Sequence, residues 1–225
     1  MQQIFLKQNH TDNLVLIFLG YGQAEEPFLK LKEHSRNDLA LVYDYQDFNF
    51  DESLYQSYQR IDLICWSMGV MIAPIVLDNS KLLSKVNTAI ALNGTYEGID
   101  DNYGIAKKLF KATIDGLDES NYLKFVRRMC QSVDSYKQYL EHRPKRSLES
   151  LKSELSYIYE NAQLSKTYDP CNFKYTKAIC GQKDKIIAYQ SQYNAWQKTP
   201  VIMESKAIAH YDESTFIELL EQLNQ

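Results

Sequence analysis

The stretch "RIDLICWSMGVMIAPIVL", from Arg60 to Leu77, decides the fold class of this chain. An apolar run of strand length ends at Trp66, one serine follows, and a second apolar run of helix length begins at Met68. A sharp strand-to-helix turn on a serine is typical of a nucleophile elbow, because the turn lifts the hydroxyl clear and the helix N-terminus favours negative charge. A serine that only caps an ordinary helix has the same local pattern. The stretch alone therefore leaves both interpretations open.

The residues around the serine match the elbow pattern in part. The usual pattern is G-x-S-x-G, and this chain has Cys65-Trp66-Ser67-Met68-Gly69. The glycine after the serine fits, whereas the cysteine before it is small but carries a Cβ atom. Pro74 also falls inside the predicted elbow helix, where a proline usually bends the axis.

Short apolar runs alternate with amphipathic stretches along most of the chain. Strands are predicted at residues 13–20, 38–45, 60–67, 86–94, 175–181 and 199–205, with a first strand inside residues 1–13. Helices are predicted at residues 25–32, 53–59, 68–77, 188–196 and 213–223. Strands that are apolar on both faces and alternate with helices indicate an α/β fold, with a mainly parallel sheet covered on both sides.

The alternation stops between residues 98 and 168. This region has the 3.6-residue periodicity of amphipathic helices and almost no strand signal. We therefore expect a helical cap at 98–168, inserted into a single α/β core formed by residues 1–97 and 169–225.

Composition excludes several classes of function. The net charge of −4 argues against nucleic acid as a partner. The sequence contains no long uncharged apolar segment of the kind that predicts a membrane span. Its N-terminal residues lack the pattern of a signal peptide. The four cysteines show no metal-ligand spacing and are expected to be reduced thiols, with the cytoplasm as the default location.

A nucleophilic serine requires a base, and the base requires an orienting carboxylate. Of the four histidines, only His210 follows the last strand run, in the short link to the final helix. Asp184 follows the strand at 175–181 and fits the chain order serine, acid, histidine. Asp169 precedes that strand and Asp212 resembles a helix cap, so both are weaker candidates. We expect Ser67, Asp184 and His210 to form the triad.

Backbone N–H groups must stabilise the oxyanion that forms during acyl transfer. One donor is expected at Met68, directly after the serine. The other is expected at Tyr21, in the "FLGYGQ" loop, where Gly20 and Gly22 permit a tight turn. This chemistry requires no metal and no organic cofactor.

Five motifs carry a resemblance to a known family: "YDYQD" at 43–47, "WSMGV" at 66–70, "LNGT" at 92–95, "KFVRRMC" at 124–130 and "HY" at 210–211. The chain resembles the BioG-type pimeloyl-[acyl-carrier protein] methyl ester esterases of the α/β-hydrolase superfamily. That resemblance implies removal of the methyl group from pimeloyl-carrier protein in biotin biosynthesis, and a triad at the same three residues. Tyr21 stands where the family leads us to expect tryptophan.

The cap offers a surface for an acidic acyl-carrier protein. Residues 104–152 hold 11 Lys/Arg and 6 Asp/Glu, a local charge of +5. The expected docking residues are Arg127, Arg128, Arg143, Lys145 and Arg146. A solvated helix surface is the simpler interpretation of these basic residues. A broad carboxylesterase or thioesterase, and a non-catalytic binding module with this fold, remain alternative functions.

Overall fold

The computed structural model describes residues 1–166 and 173–224. Seven strands form one sheet in the order β1-β3-β2-β4-β5-β6-β7. β1 pairs antiparallel with β3, and the other neighbouring strands are parallel. The strands are β1 (Gln2–Lys7), β2 (Asn13–Phe18), β3 (Asp38–Tyr43), β4 (Arg60–Trp66), β5 (Val86–Leu92), β6 (Lys177–Gly181) and β7 (Ile202–Lys206). The predicted mainly parallel sheet is confirmed.

The centre of the sheet is buried on both faces. Every residue of β3 and all but the first residue of β2 and β4 are buried. The edge strands β1 and β7 are only partly covered, and Ile202 at the start of β7 is 72% exposed. Continuous apolar runs are required where helices or loops cover both sides of a parallel strand, which is why these runs could be identified in the sequence.

Seven α-helices belong to the described residues. Three pack with the sheet: α1 (Gly69–Leu77), α6 (Tyr189–Trp196) and α7 (Glu213–Leu223). Four lie between β5 and β6, in the predicted cap: α2 (Lys107–Asp115), α3 (Glu119–Met129), α4 (Val133–Glu141) and α5 (Leu148–Asn161). No helix within residues 1–166 and 173–224 combines the length and apolarity that a bilayer crossing requires.

Side-chain caps fix where three cap helices begin. Asp118 accepts a hydrogen bond from the N–H of Asn121 at the start of α3. Ser132 and Ser135 form a reciprocal capping box on α4, and Ser147 accepts from the N–H of Ser150 on α5. Each cap satisfies one of the N–H groups that a helix leaves unpaired in its first turn.

Two helices predicted on the core are tighter than expected. The segments predicted at 25–32 and 53–59 are 3-10 helices, at Glu26–Glu33 and Glu52–Tyr55. In the first, the buried residues Phe28 and Leu31 are three apart, which matches the three residues per turn of this geometry. The predicted cap boundary at 168/169, Asp169 and Cys171 lie outside the described residues.

Pro74 lies inside α1, as the sequence predicted. A proline there lacks the N–H that would bond to the carbonyl of Val70 four residues earlier. The Tyr175 hydroxyl donates to that carbonyl instead, at 2.8 Å. The side chain of a residue that precedes β6 thus satisfies the acceptor that the proline leaves open.

Candidate active site

Ser67 occupies a strained turn between β4 and α1. Its φ is 57°, in the left-handed region that side chains other than glycine seldom adopt. The turn is crowded, because a Cβ atom at Gly69 would lie 2.4 Å from the carbonyl oxygen of Phe18. Cys65 is wholly buried and its pKa is raised to about 12 by burial, so its thiol stays protonated. This cysteine therefore packs as a small core residue in place of glycine.

The three residues expected to form the triad lie within hydrogen-bond distance of one another. His210 Nε2 is 2.8 Å from Ser67 Oγ, and His210 Nδ1 is 2.8 Å from Asp184 Oδ2. All three residues are buried, with 8% exposure at most. The Asp184 carboxylate also accepts from the N–H groups of Ile186 and Ile187, at 2.7 and 3.0 Å. These bonds fix the carboxylate toward the imidazole.

Two side chains hold the loop that carries His210. The Trp66 indole N–H donates to the carbonyl oxygen of His210 at 2.7 Å. The amide nitrogen of Asn93 donates to the carbonyls of His210 and Ala209, at 3.0 and 2.7 Å. Its amide oxygen accepts from the N–H of Gly181 at the end of β6, also at 2.7 Å. Asn93, whose φ is 48°, thereby connects the ends of β5 and β6 to the histidine loop.

The two backbone N–H groups expected to bind an oxyanion are unengaged. Those of Tyr21 and Met68 donate to no acceptor among residues 1–166 and 173–224. The loop that carries Tyr21 lies directly against the serine, because a Cβ atom at Gly20 would be 2.9 Å from Ser67 Cβ. The N–H group of Tyr21 thus lies in a loop that contacts Ser67, and the N–H group of Met68 belongs to the residue that directly follows it.

A small, mostly apolar cavity of about 80 Å³ opens beside Ser67. Its lining comes from the cap, the Tyr21 loop and the segment after Asp184, and includes Leu109, Phe110, Phe125, Leu155 and Ile186. A neighbouring cavity of about 210 Å³ shares Tyr21, Leu109, Thr113, Phe125 and Arg128 with it. A third cavity, of about 880 Å³, is lined by none of the three expected triad residues. Among the described residues, no cluster of three His, Cys, Asp or Glu side chains could hold a metal.

The five basic residues expected at a docking face fall into two environments. Arg127, Arg128, Arg143 and Lys145 are exposed, and Arg128 also lines both cavities near Ser67. Arg146 differs, because its side chain is 7% exposed and forms ion pairs with Asp44 and Glu154. A guanidinium committed to the buried Glu154 and the half-buried Asp44 is not available to a partner, so Arg146 does not belong with the other four.

Three residues near the site were missed from the sequence. Asn93 lies in the quoted "LNGT" motif, where a strand ends in a polar residue, and that signal could have identified it. Gln192 donates to Asp184 Oδ2 at 2.9 Å from helix α6. Glu154, on cap helix α5, accepts from the N–H of Gly22 at 3.1 Å. Neither of the last two residues stands apart from other polar helix residues in the sequence.

Comparison with known proteins identifies the family. The model of the family described as pimeloyl-ACP methyl esterase BioG matches residues 1–220. The chain belongs to the BioG family. The crystal structure of BioG from Haemophilus influenzae superposes with a TM-score of 0.82 at 30% identity, covering 96% of this chain and 97% of that one. A Haemophilus influenzae protein named only as uncharacterized is 34% identical over 91% of both chains.

A further relative has a different name. A malonyl-[acyl-carrier protein] O-methyltransferase from Bacteroides fragilis is 39% identical over 92% of this chain. The chain spans about two fifths of that relative, 41% of its length. An esterase from Exiguobacterium antarcticum has a TM-score of 0.70 at 16% identity, covering 99% of this chain and 94% of that one, which supports the α/β-hydrolase fold. The chain therefore belongs to a family described as pimeloyl-ACP methyl esterase and has the α/β-hydrolase fold.

Proposed function

We propose that this protein is a serine carboxylesterase that hydrolyses the methyl ester of pimeloyl-[acyl-carrier protein], releasing methanol. The observation that carries the proposal is the chain of contacts from Ser67 Oγ through His210 to Asp184, two hydrogen bonds of 2.8 Å each. It is supported by membership of the BioG family. An apolar cavity beside the serine suits an acyl chain.

In the first step, Ser67 attacks the ester carbonyl while His210 Nε2 takes the hydroxyl proton. Asp184 holds the imidazole tautomer with its proton on Nδ1 and stabilises the imidazolium that forms. The carbonyl oxygen becomes an oxyanion and accepts hydrogen bonds from the N–H groups of Tyr21 and Met68. His210 then protonates the leaving methoxide, and methanol departs from the acyl-enzyme.

In the second step, water hydrolyses the acyl-enzyme. His210 removes a proton from the water as its oxygen attacks the acyl carbonyl, and the same two N–H groups bind the new oxyanion. Collapse of this intermediate breaks the bond to Ser67 Oγ, which regains its proton from His210. The products are the free carboxyl group on the carrier-bound chain and the original enzyme.

Replacing the serine tests the proposal. Ser67→Ala should lower kcat for short p-nitrophenyl esters by more than about 10³-fold, because the nucleophile is removed. The matched control is Ser57→Ala, at an exposed serine, which should keep the parent rate. Loss of one methylene mass from methyl pimeloyl-carrier protein, seen by mass spectrometry, would identify the physiological substrate class. Activity of Ser67→Ala within tenfold of the parent would overturn the assignment.

The exposed basic residues of the cap are proposed as the carrier-protein docking face. Arg127, Arg128, Arg143 and Lys145 are exposed, and Arg128 lies where this face meets the cavities near Ser67. An acidic carrier protein and the phosphate of its prosthetic arm would complement these charges. Arg143 already pairs with Glu119 at 2.8 Å, an exposed contact that costs little to exchange.

Charge reversal distinguishes docking from a solvated surface. Arg127→Glu should raise KM for the carrier-bound ester severalfold, and the effect should shrink as salt screens the charges. Its kcat/KM for a small p-nitrophenyl ester should stay within twofold of the parent. Lys137→Glu, the same charge change at an exposed lysine of α4, serves as the control. Equal losses on both substrates would indicate misfolding and contradict docking at Arg127.

Two other functions make different predictions. A broad carboxylesterase or thioesterase would show no preference for carrier-bound over free methyl pimelate. A non-catalytic module would not be labelled at Ser67 by a fluorophosphonate probe. The methyltransferase name of the Bacteroides fragilis relative belongs to a protein of which more than half lies outside the match. That name therefore need not describe the matched portion.

A further inference from the structure

A carboxylate from the cap is buried beside the loop that carries Tyr21. Glu154, on α5, has no exposed surface. Its Oε2 atom accepts from the N–H of Gly22 at 3.1 Å and from Arg146 Nη1 at 2.6 Å. Its Oε1 atom accepts from the N–H of Tyr45 at 3.1 Å. One cap side chain thus binds two separate backbone segments of the core.

The contact at Gly22 fixes the peptide that follows Tyr21. The N–H of this peptide donates to Glu154, and its carbonyl oxygen, on Tyr21, accepts from Gln23 Nε2 at 3.3 Å. Gln23 is in turn held by the cap, because the Tyr139 hydroxyl donates to its Oε1 atom at 2.7 Å. Both ends of one peptide plane are therefore bound by side chains, and both bonds depend on cap helices.

A fixed peptide on one side of Tyr21 limits how the other side can turn. Gly22 has a φ of +72°, and because a glycine has no side chain to restrict its backbone angles, other bonds must hold this conformation. The peptide that carries the Tyr21 N–H meets this fixed peptide at the Tyr21 Cα atom. A shift of the fixed peptide would therefore move the Tyr21 N–H, which no described acceptor restrains. An oxyanion hole depends on donors that are oriented before the reaction begins.

We infer that Glu154 is a positioning residue, which holds the Tyr21 N–H in the orientation that the oxyanion hole needs and so makes that hole depend on the docked cap. The inference rests on the proposed function. Arg146 completes the arrangement, because it binds Glu154, Asp44 and, at 3.4 Å, the carbonyl oxygen of Gln23. A tether that only attached the cap would not need to bind the residue next to the oxyanion donor.

Glu154→Gln tests this role with little change in shape. A glutamine has one acceptor oxygen in place of two, so one of the N–H groups now bound would face an NH₂ group. For a short p-nitrophenyl ester we expect kcat to fall about 10- to 100-fold, with KM changed less than threefold. Glu149→Gln, at an exposed glutamate of the same helix, should leave both parameters unchanged.

A trifluoromethyl ketone separates positioning from a purely structural role. It forms a tetrahedral adduct with a nucleophilic serine, and its oxygen occupies the oxyanion hole. Its affinity should fall in Glu154→Gln by the same factor as kcat/KM, at temperatures where circular dichroism shows a folded protein. A destabilised but correctly positioned loop would bind the ketone as tightly as the parent does, and that result would overturn the inference.

A second variant keeps the test decisive if Glu154→Gln does not fold. Tyr139→Phe removes only the hydroxyl that holds Gln23, and it should lower kcat and ketone affinity together, by about threefold to tenfold. Unchanged kcat in a folded Glu154→Gln variant, or in Tyr139→Phe where Glu154→Gln does not fold, would refute the positioning role of these cap contacts while leaving the esterase assignment intact. An active Ser67→Ala variant would instead refute the proposed function itself.

Discussion

Two buried carboxylates reach the surroundings of Ser67 from different parts of the molecule. Asp184 comes from the loop after β6 and accepts from two backbone N–H groups, Gln192 and His210. Glu154 comes from the cap and accepts from two backbone N–H groups and Arg146. The backbone donors are equal in number. The difference lies in the side chain that each carboxylate faces.

That difference predicts different tasks for the two groups. An imidazole can gain or lose a proton near neutral pH, so a carboxylate that faces it can support proton transfer. A guanidinium stays charged, so a carboxylate that faces it can only be held in place. Burial raises the pKa of Glu154, while Arg146 and the N–H groups of Tyr45 and Gly22 oppose that rise. We therefore expect changes at Asp184 to affect chemistry and changes around Glu154 to affect stability and loop position.

Asp184→Asn should produce the largest loss of activity. An amide in this position can donate to Nδ1 and so favour the imidazole tautomer that cannot accept the Ser67 proton. We expect kcat for p-nitrophenyl esters to fall about 10³- to 10⁴-fold. The temperature of unfolding should change by only a few degrees, because the backbone N–H groups of Ile186 and Ile187 still have an acceptor. A residual rate within tenfold of the parent would contradict the assigned role of Asp184.

The sequence predicted one of these carboxylates and not the other, for a physical reason. Asp184 follows a buried strand, and the carboxyl ends of parallel strands meet at one edge of the sheet, so its position in the chain implies its position in space. His210 was found in the same way, between the last strand and α7. Fold-class prediction succeeded on the same evidence, because the buried apolar strands at the centre of the sheet alternate with helices along the chain.

Glu154 could not be predicted because its partners are remote in the chain. Gly22 is 132 residues away and Tyr45 is 109 residues away. On an amphipathic helix, the sequence does not distinguish a buried glutamate from the exposed charged residues near it. The sequence places Arg146 on the surface for the same reason. "RPKR" resembles an exposed basic run, and only the packing of the cap shows that the side chain of its last arginine is buried.

Arg146→Met should cause the next largest effect, now on stability. Removal of Arg146 leaves the buried Glu154 with an uncompensated charge, and the loss of one partner of a buried pair typically costs about 3–5 kcal/mol of unfolding free energy. Arg143→Met removes an exposed ion pair with Glu119 and should cost under about 1 kcal/mol. Urea unfolding at pH 7 measures both values. Equal losses would show that burial does not distinguish the two arginines.

The loss in Arg146→Met should also depend on pH. Without the guanidinium, burial alone raises the pKa of Glu154 further in the folded state, so the folded protein binds a proton that the unfolded chain has released above about pH 4.5. Stability then falls as pH rises, because the folded state holds more protons than the unfolded state. We expect the variant to lose less stability at pH 5 than at pH 8. A loss independent of pH would contradict an unpaired Glu154.

Gln192→Met should have the smallest effect and probes the Asp184 side of the comparison. Gln192 Nε2 donates to Asp184 Oδ2, the oxygen that also faces His210, and to the carbonyl of Ile187 at 2.8 Å. Its own Oε1 atom is buried and has no hydrogen-bond partner within the described part of the chain. Methionine has a similar length and no carbonyl oxygen to leave unpaired. The stability cost should therefore be only about 1 kcal/mol, since lost bonds and a removed orphan acceptor partly cancel.

The activity of Gln192→Met shows whether Asp184 needs orientation beyond its backbone bonds. Loss of one hydrogen bond to a carboxylate should lower kcat about threefold to tenfold while KM stays constant. Gln190→Met, on an exposed face of α6, is the matched control. If kcat of Gln192→Met equals that of the control, then Ile186 and Ile187 alone orient Asp184. The two carboxylates would then differ further, because backbone bonds would suffice on the core side, whereas Glu154 would still depend on Arg146.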